Sequence, residues 1–318
     1  MGTAGRMVRI AAAALALSAA AAPSRAQEAA PPIVVGSVPN DSGGAAFYAQ
    51  ELGLFKRAGL NVKLQAGNNP GSMAAAVVGG SMTIGTLTIP GIALARDRGI
   101  PLVLIAPGSM YSSAAPTSGV IVLKNSSIKK AADLNGKTIA TRDLSNLSYY
   151  GANAWIEKNG GDYKSVKWVE VTDTQTVPAL LAGRIDAASV SEPALDDAVR
   201  GTDARMLGAV YDAIGDKFLI SGAFTTEAFA RAHPDVVRTF QRVIIDAQLW
   251  ANQHHAESAK ILEKYAGVPV SRDATRVTYA ARLRAVDIEP VLTTLKRFGV
   301  VKPSLRAADL IAPGLSTP

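Results

Sequence analysis

Val77-Val78-Gly79-Gly80-Ser81-Met82-Thr83-Ile84-Gly85, running on to Pro90, is a unit that returns later in the chain as Leu180-Leu181-Ala182-Gly183-Arg184-Ile185-Asp186-Ala187-Ala188, running on to Pro193. In both copies a helical apolar run closes at a glycine, Gly80 or Gly183, and a proline stands ten residues further on. Glycine suits the position just past a helix because it adopts positive φ without strain. Proline suits the first turn of the next helix, where a missing N–H costs nothing. The unit therefore reads helix, tight turn, strand, polar loop, helix. The polar loops are Thr86-Leu87-Thr88-Ile89 and Ser189-Val190-Ser191-Glu192. Two copies predict two similar α/β lobes, with ligand-binding loops at the strand ends. Helix–glycine–strand units also arise by coincidence in α/β chains, so the repeat needs support from its surroundings.

Support comes from an echo ahead of each copy. Ile33 to Ser37 is a short apolar strand, and the loop Pro39 to Gly44 leads from it to a helix carrying Phe47-Tyr48. Thr138 to Thr141 is likewise a strand, and Arg142 to Asn146 leads to a helix carrying Tyr149-Tyr150. Strands are expected at 33–38, 62–66, 82–85, 102–107 and 119–123. A second series is expected at 137–141, 167–171, 185–190, 205–209 and 218–225. Helical patterns between most of them argue for open, mostly parallel sheets. After Thr226 the pattern turns helical: 227–265 with a break at His233-Pro234, then 272–283, then 289–298 with Pro290 in its first turn. This predicts a first lobe over 31–117, a second over 118–222, and a helical return over 223–318 that completes the first. Crossings at Ser118–Lys124 and Phe218–Thr225 would form a hinge.

The N-terminus reads as an export signal. Arg6 and Arg9 precede the Ala/Leu-rich stretch Ile10 to Ala22, and Ser24-Arg25-Ala26 places small residues at −3 and −1 of a cleavage site. This 13-residue stretch is too short to span a bilayer, which takes about 20. Signal 1–26 therefore predicts a periplasmic protein. The sequence has no cysteine, which excludes disulfides, thiol chemistry and an N-terminal lipid anchor. The net charge of +7 includes three arginines within residues 1–26 and no acid there, leaving a mild basic excess. No Lys/Arg run or aromatic–basic interleaving points to nucleic acid.

Enzyme readings find little to stand on. His254 and His255 are adjacent on a helix and point about 100° apart, so they chelate poorly. HExxH, GxSxG, Walker A and EF-hand patterns do not occur. No cofactor is expected.

Five segments, in order, resemble the periplasmic substrate-binding proteins of ABC importers, in the group of nitrate-, sulfonate- and taurine-binding proteins and thiamine-pyrimidine-synthase relatives. They are Tyr48 to Gly59, Ala75 to Gly85, Ala131 to Ala140, Ala179 to Pro193 and Thr225 to Asn252. The resemblance implies a two-lobed type II periplasmic-binding-protein fold with a two-crossing hinge. It implies a monomer that captures a small organic solute, delivers it to an ABC permease, and performs no chemistry. Alternatives are an enzyme like thiamine-pyrimidine synthase, or a solute sensor docking on a signalling partner.

Candidate ligand contacts lie at strand ends and helix starts, where unpaired N–H groups and the dipole favour anions and polar oxygens. In the first lobe these are Asn40, Asp41, Ser42, Asn69, Ser72, Thr86 and Thr88, with Tyr111 for stacking. In the second they are Arg142, Ser145, Asn146, Gln175, Ser191 and Glu192. Alignment on the repeated glycine pairs Ser72 with Gln175 and Thr88 with Ser191. Each polar residue is alternatively a simple cap. Arg142 either binds a sulfonate or carboxylate or pairs with Asp143. Glu192 either accepts from an amine or is an acid favoured by the helix dipole; the family's Glu-Pro pattern tips it toward ligand. These acids argue against a plain inorganic anion and for a small organic solute with both apolar and polar surface; an amine on it would suit Glu192.

Overall fold

The computed structural model describes residues 32–67, 70–192, 194–201, 203–267 and 275–316. The export signal, Asn69 and Pro193 therefore lie outside the described residues. From Pro32 onward the chain forms one compact unit. Its strands are β1 Ile33–Ser37, β2 Val62–Ala66, β3 Gly85–Thr88, β4 Leu102–Pro107, β5 Ser109–Ser112, β6 Ser118–Leu123, β7 Thr138–Thr141, β8 Lys167–Glu170, β9 Ala187–Ser191, β10 Ala204–Ala209, β11 Lys217–Leu219, β12 Ser221–Thr226 and β13 Thr278–Tyr279.

The two sheets are copies of one plan. The second lobe has the order β10-β6-β9-β7-β8. In the first lobe β3-β12-β4 forms one group and β1-β2 another, joined by a parallel bridge from Val35 to Ile84. The order there is β4-β12-β3-β1-β2, position for position the same. In each lobe the second strand of this order is the first that the chain forms there on arriving from the other lobe: β6 in the second lobe and β12 on the return to the first. Each runs antiparallel to both its neighbours, whereas β1–β2, β7–β8 and β7–β9 are parallel. Each sheet is thus mostly parallel, as expected, with one reversed strand: four of its five strands point the same way and the inserted strand runs against them.

The register carries the repeat down to single residues. Thr88 pairs with Ser221 in β12, and Ser191 pairs with Ser118 in β6. Both inserted strands open Ser-Gly, as Ser221-Gly222 and Ser118-Gly119. A Cβ on Gly222 would come within 2.7 Å of the Ala106 carbonyl oxygen, so only glycine lets β12 lie this close. Gly80 and Gly183 both take positive φ, 79° and 66°, as their helix-closing role requires. The strands after them start later than expected. Thr86–Thr88, read as loop, is strand β3, because β12 supplies its ladder partner.

The connection between the lobes also differs from the sequence reading. Ser118–Leu123 is a buried strand of the second sheet, and Ser221–Thr226 belongs to the first. Between the sheets runs the ribbon β5–β11, with Tyr111 opposite Phe218. β13 pairs on the other side of β5. Thr278–Tyr279 lies in a stretch expected to be helical; pairing with Met110 and Ser109 overrides the local helix pattern.

Helix Gly44–Glu51 packs on the long helix Pro234–Gln253 and on His255–Ala266. This layer covers the first sheet with Phe47, Tyr48, Phe240 and Ile244, all buried. The second sheet buries Ile121, Ala140, Ala188 and Val190 against Leu180 and Leu195. Deleting a buried leucine such as Leu180 to alanine costs roughly 2–5 kcal/mol. Helix Glu289–Arg297 packs on Ile89–Asp97 of the first lobe. Its end also reaches the second lobe, where Arg297 bonds Glu157 at 3.3 Å and the Phe298 ring meets Tyr163 at 5.1 Å.

Candidate functional site

The first-lobe rim is the loop after β1. Asn40 Oδ1 accepts from Gly43 N at 3.0 Å, and Ser37 Oγ donates to the Gly43 carbonyl at 2.8 Å. Ser37 also meets Thr86 Oγ1 at 2.9 Å, which ties the end of β1 to β3. Ser42 is held from the ribbon: Ser109 Oγ donates to its hydroxyl at 3.4 Å and Ser221 Oγ to its carbonyl at 3.0 Å. Thr88 occupies the N-cap position of helix Ile89–Asp97, and its side chain makes no cap bond.

Asp41 is not a free acceptor. Arg276 pairs with it at 2.6 Å, and both side chains are less than a tenth exposed (7% and 8%). The Tyr279 hydroxyl donates to the Asp41 carbonyl at 2.6 Å, and Arg276 Nη2 donates to the Tyr48 hydroxyl at 3.2 Å. Burial pushes both phenols well above their ordinary range. The first loop is therefore clamped by a segment more than 230 residues away in sequence. A buried ion pair stripped of one partner leaves an uncompensated charge, so this clamp fixes position more than it adds stability.

The second-lobe rim is a cluster of hydroxyls. Ser191 Oγ meets Ser148 Oγ at 2.7 Å and donates to Ser118 Oγ at 3.0 Å. Ser148 meets the Tyr211 hydroxyl at 3.1 Å, and Ser118 donates to the Val190 carbonyl at 2.9 Å. Ser148 sits in the first turn of helix Leu147–Lys158, whose N-cap Asn146 accepts from Tyr149 N at 2.9 Å. Thr117 Oγ1 and Thr141 Oγ1 are buried close to this level of the sheet, each without a partner among the described residues. Their donors are available to an acceptor that enters.

Glu192 follows Ser191 directly. Its backbone N–H donates to the Thr117 carbonyl at 3.0 Å, and its Oε2 accepts from Asp196 N at 3.1 Å. Burial is the largest cause that pushes its carboxyl up to about 7; the Asp196 N–H opposes this, and the charges of Asp196, Asp41 and Asp197 add to it. The charge of Asp41, on the first-lobe loop, is one of the lesser influences on Glu192. Glu192 is thus a helix-start acid and also a half-buried carboxyl among other acids.

Other expected contacts lie elsewhere. Tyr111 is fully buried in the ribbon and donates to Asp212 at 2.5 Å, so its ring is core and its phenol is raised by burial. Arg142 pairs with Asp173 at 3.0 Å, not with Asp143. Asp143 instead accepts from Ser145 N and Oγ, both at 2.6 Å. Gln175 is exposed and borders an outer groove with Val169, Thr172 and Arg184. Ser72 is exposed on helix Pro70–Val78. The structure brings together Asn40, Asp41, Ser42 and Thr86 on one rim and Asn146, Ser191 and Glu192 on the other. Sequence reasoning missed Ser118, Ser148, Tyr211 and Arg276. The repeated Ser-Gly pair was the signal available for Ser118.

A family model described as NMT1/THI5 like matches residues 42–258. The chain is 27% identical over 226 residues to the taurine-binding periplasmic protein of Escherichia coli K12, an alignment covering 67% of each chain. Among solved structures it resembles the periplasmic aliphatic sulphonate binding protein SsuA from Escherichia coli, with TM-score 0.72, 18% identity, and 89% of this chain and 98% of that chain covered. It also resembles the periplasmic nitrate-binding protein NrtA from Synechocystis PCC 6803, with TM-score 0.74, 14% identity, and coverage of 89% and 86%. The two mixed sheets with exchanged strands are the type II periplasmic-binding-protein fold that these structures share.

Proposed function

Because the chain belongs to the NMT1/THI5-like family, we propose that it is an exported solute receptor that holds a small amine-bearing organic solute between its lobes and delivers it to an ABC permease. The observation that carries this reading is Glu192, a half-buried carboxyl near pKa 7 beside the Ser118–Ser148–Ser191 hydroxyls and influenced by the Asp41 charge. An ammonium or amidine-like group matches Glu192, and an oxoanion or carboxylate end matches the hydroxyls and helix starts. Taurine, an aminosulfonate, has both ends, and the similar Escherichia coli protein is taurine-binding. On this reading the chain binds the solute and performs no chemistry on it. It works as a monomer that closes about the β5–β11 ribbon. Its signal is cleaved after Ala26, and the mature chain starting at Gln27 is periplasmic.

The test is mass spectrometry of the solute that copurifies with protein from the periplasm, followed by a thermal-shift series of aminosulfonates, aminocarboxylates, aminopyrimidines, simple sulfonates and nitrate. A ligand at about 100 times its dissociation constant stabilises by roughly 2.7 kcal/mol. Shifts confined to amine-bearing members support the reading. Shifts with nitrate or amine-free sulfonates alone overturn it. N-terminal sequencing of the same material should start at Gln27.

A further inference from the structure

Behind the first-lobe rim lies a small, largely apolar cavity with one buried polar group, Gln248, that the solute reading does not use. Gln248, on helix Pro234–Gln253, is fully buried. Its Nε2 donates to the Pro107 carbonyl at 2.7 Å, which fixes the amide so that Oε1 points away from β4. That Oε1 is buried and has no hydrogen-bond partner among the described residues. A buried acceptor forfeits the hydrogen bonds it made to solvent in the unfolded chain, so one in a packed core calls for a donor.

A cavity of about 20 Å³ supplies the space. Gln248 lines it together with Ser42, Gly43, Ala45, Ala46 and Thr86. A volume above roughly 10–15 Å³ admits one water when two to four polar partners are at hand. The partners are present. Helix Gly44–Glu51 starts against this cavity, and its N-cap, Gly43, has no side chain to satisfy the first-turn N–H groups. The hydroxyls of Ser42 and Thr86 complete the wall.

We infer that one water molecule is a fixed part of the first lobe, donating to Gln248 Oε1 and bound on its other side by the open first turn of helix Gly44–Glu51 or by the hydroxyls of Ser42 and Thr86. It joins the return helix to the loop that carries Asp41 and Ser42, so the rim is supported from beneath as well as by Arg276. The site takes a neutral, water-sized donor. It shares Ser42 and Thr86 with the first-lobe rim, whereas Gln248 is a core residue outside that rim.

The experiment is a crystal structure of the solute-free protein at a resolution that orders internal waters, repeated with solute, with Gln248→Met as the paired variant. One ordered water within hydrogen-bonding distance of Gln248 Oε1, present in both states and lost in the variant, supports the inference. Water oxygen-17 relaxation dispersion should show the matching loss of one long-lived water from wild type to Gln248→Met. If the variant does not fold, the wild-type structures decide alone. A dry cavity, a direct bond from Ser42 or Thr86 to Oε1, or a solute atom in the cavity each overturns it.

Discussion

Glu192 offers the sharpest test, because its proton should be displaced by the solute. Burial and neighbouring acids raise its carboxyl from the ordinary 4.5 to about 7. Before binding, about nine-tenths of the molecules carry this proton at pH 6, and only a few per cent do at pH 8.5. An ammonium group docking on Glu192 needs the ionised form and lowers its pKa. Binding at pH 6 should therefore release close to one proton, and binding at pH 8.5 close to none. The apparent dissociation constant should be about tenfold weaker at pH 6 than at pH 8. Isothermal titration at pH 6 in phosphate and in imidazole, with taurine as the first solute tried, reads the release as a difference in apparent enthalpy. Glu192→Gln should abolish that difference, flatten the pH profile, and weaken binding about tenfold or more, since a hydrogen bond to a charged group contributes roughly 1.5–3 kcal/mol. The same variant tests the cost of burial. A raised carboxyl favours the folded state most below pH 4.5, and that contribution is lost as pH climbs to about 7. Each tenfold change in proton affinity between the folded and unfolded chain is worth about 1.36 kcal/mol. The free protein should therefore lose at most about 3 kcal/mol across that window, and less where solvent reaching the half-buried carboxyl screens its charge. Glu192→Gln should remove this loss and be more stable than wild type at pH 8. Equal enthalpies in the two buffers at pH 6, with a flat affinity profile, would refute the pairing of Glu192 with a cationic group.

Gly222→Ala should cost about 1–3 kcal/mol in urea unfolding, because its Cβ meets the Ala106 carbonyl at 2.7 Å; Gly119→Ala, whose Cβ meets the flexible Met206 sulfur, should cost less. Arg276→Met should destabilise by about 3–5 kcal/mol by leaving Asp41 buried and unpaired, and Asp41→Asn added to it should recover part of the loss in the same assay. Small-angle scattering should show a smaller radius of gyration with saturating solute, and an unchanged value would sink the closure about β5–β11.

The lobe repeat was legible because helix–glycine–strand is a local pattern: Gly80 and Gly183 need positive φ whatever surrounds them. The place of Glu192 just past a strand end was legible for a similar reason, since Glu-Pro is read within a few residues. The hydroxyl cluster was not. Ser118, Ser148, Ser191 and Tyr211 come from four separate segments, and serine in a strand has no distinctive pattern. They meet only because β6 inserts antiparallel beside β9 and puts Ser118 opposite Ser191. The ribbon was misplaced because apolar β6 and β12 look like crossings, whereas Ser109–Ser112 is too short and polar to stand out. Tyr111 looked like a stacking residue, yet its ribbon position sets it against Phe218 and Tyr211. Arg276 was hidden by the helical periodicity around it, which the pairing of Thr278–Tyr279 with β5 overrides.

The two rims divide the electrostatic work unequally, and Arg276 explains why one carboxyl and not two governs the site. Asp41 and Glu192 stand on opposite rims, and the charge of Asp41 already contributes to raising Glu192. Were Asp41 unpaired, closing the lobes would press two carboxylates together, and the like-charge repulsion would have to be met by the solute or by a proton. Arg276 is bonded to Asp41 through both Nε and Nη2, so the Asp41 charge is already paired within its own rim. On the proposed reading, Glu192 is then the carboxyl that responds to the solute. The consequence is a coupling across the cleft. Arg276→Met should push the Glu192 pKa higher still and shift the onset of proton release toward higher pH. Asp41→Asn should move it the other way. A Glu192 titration followed by carboxyl-carbon NMR that stays fixed in both variants would show that the rims do not sense one another.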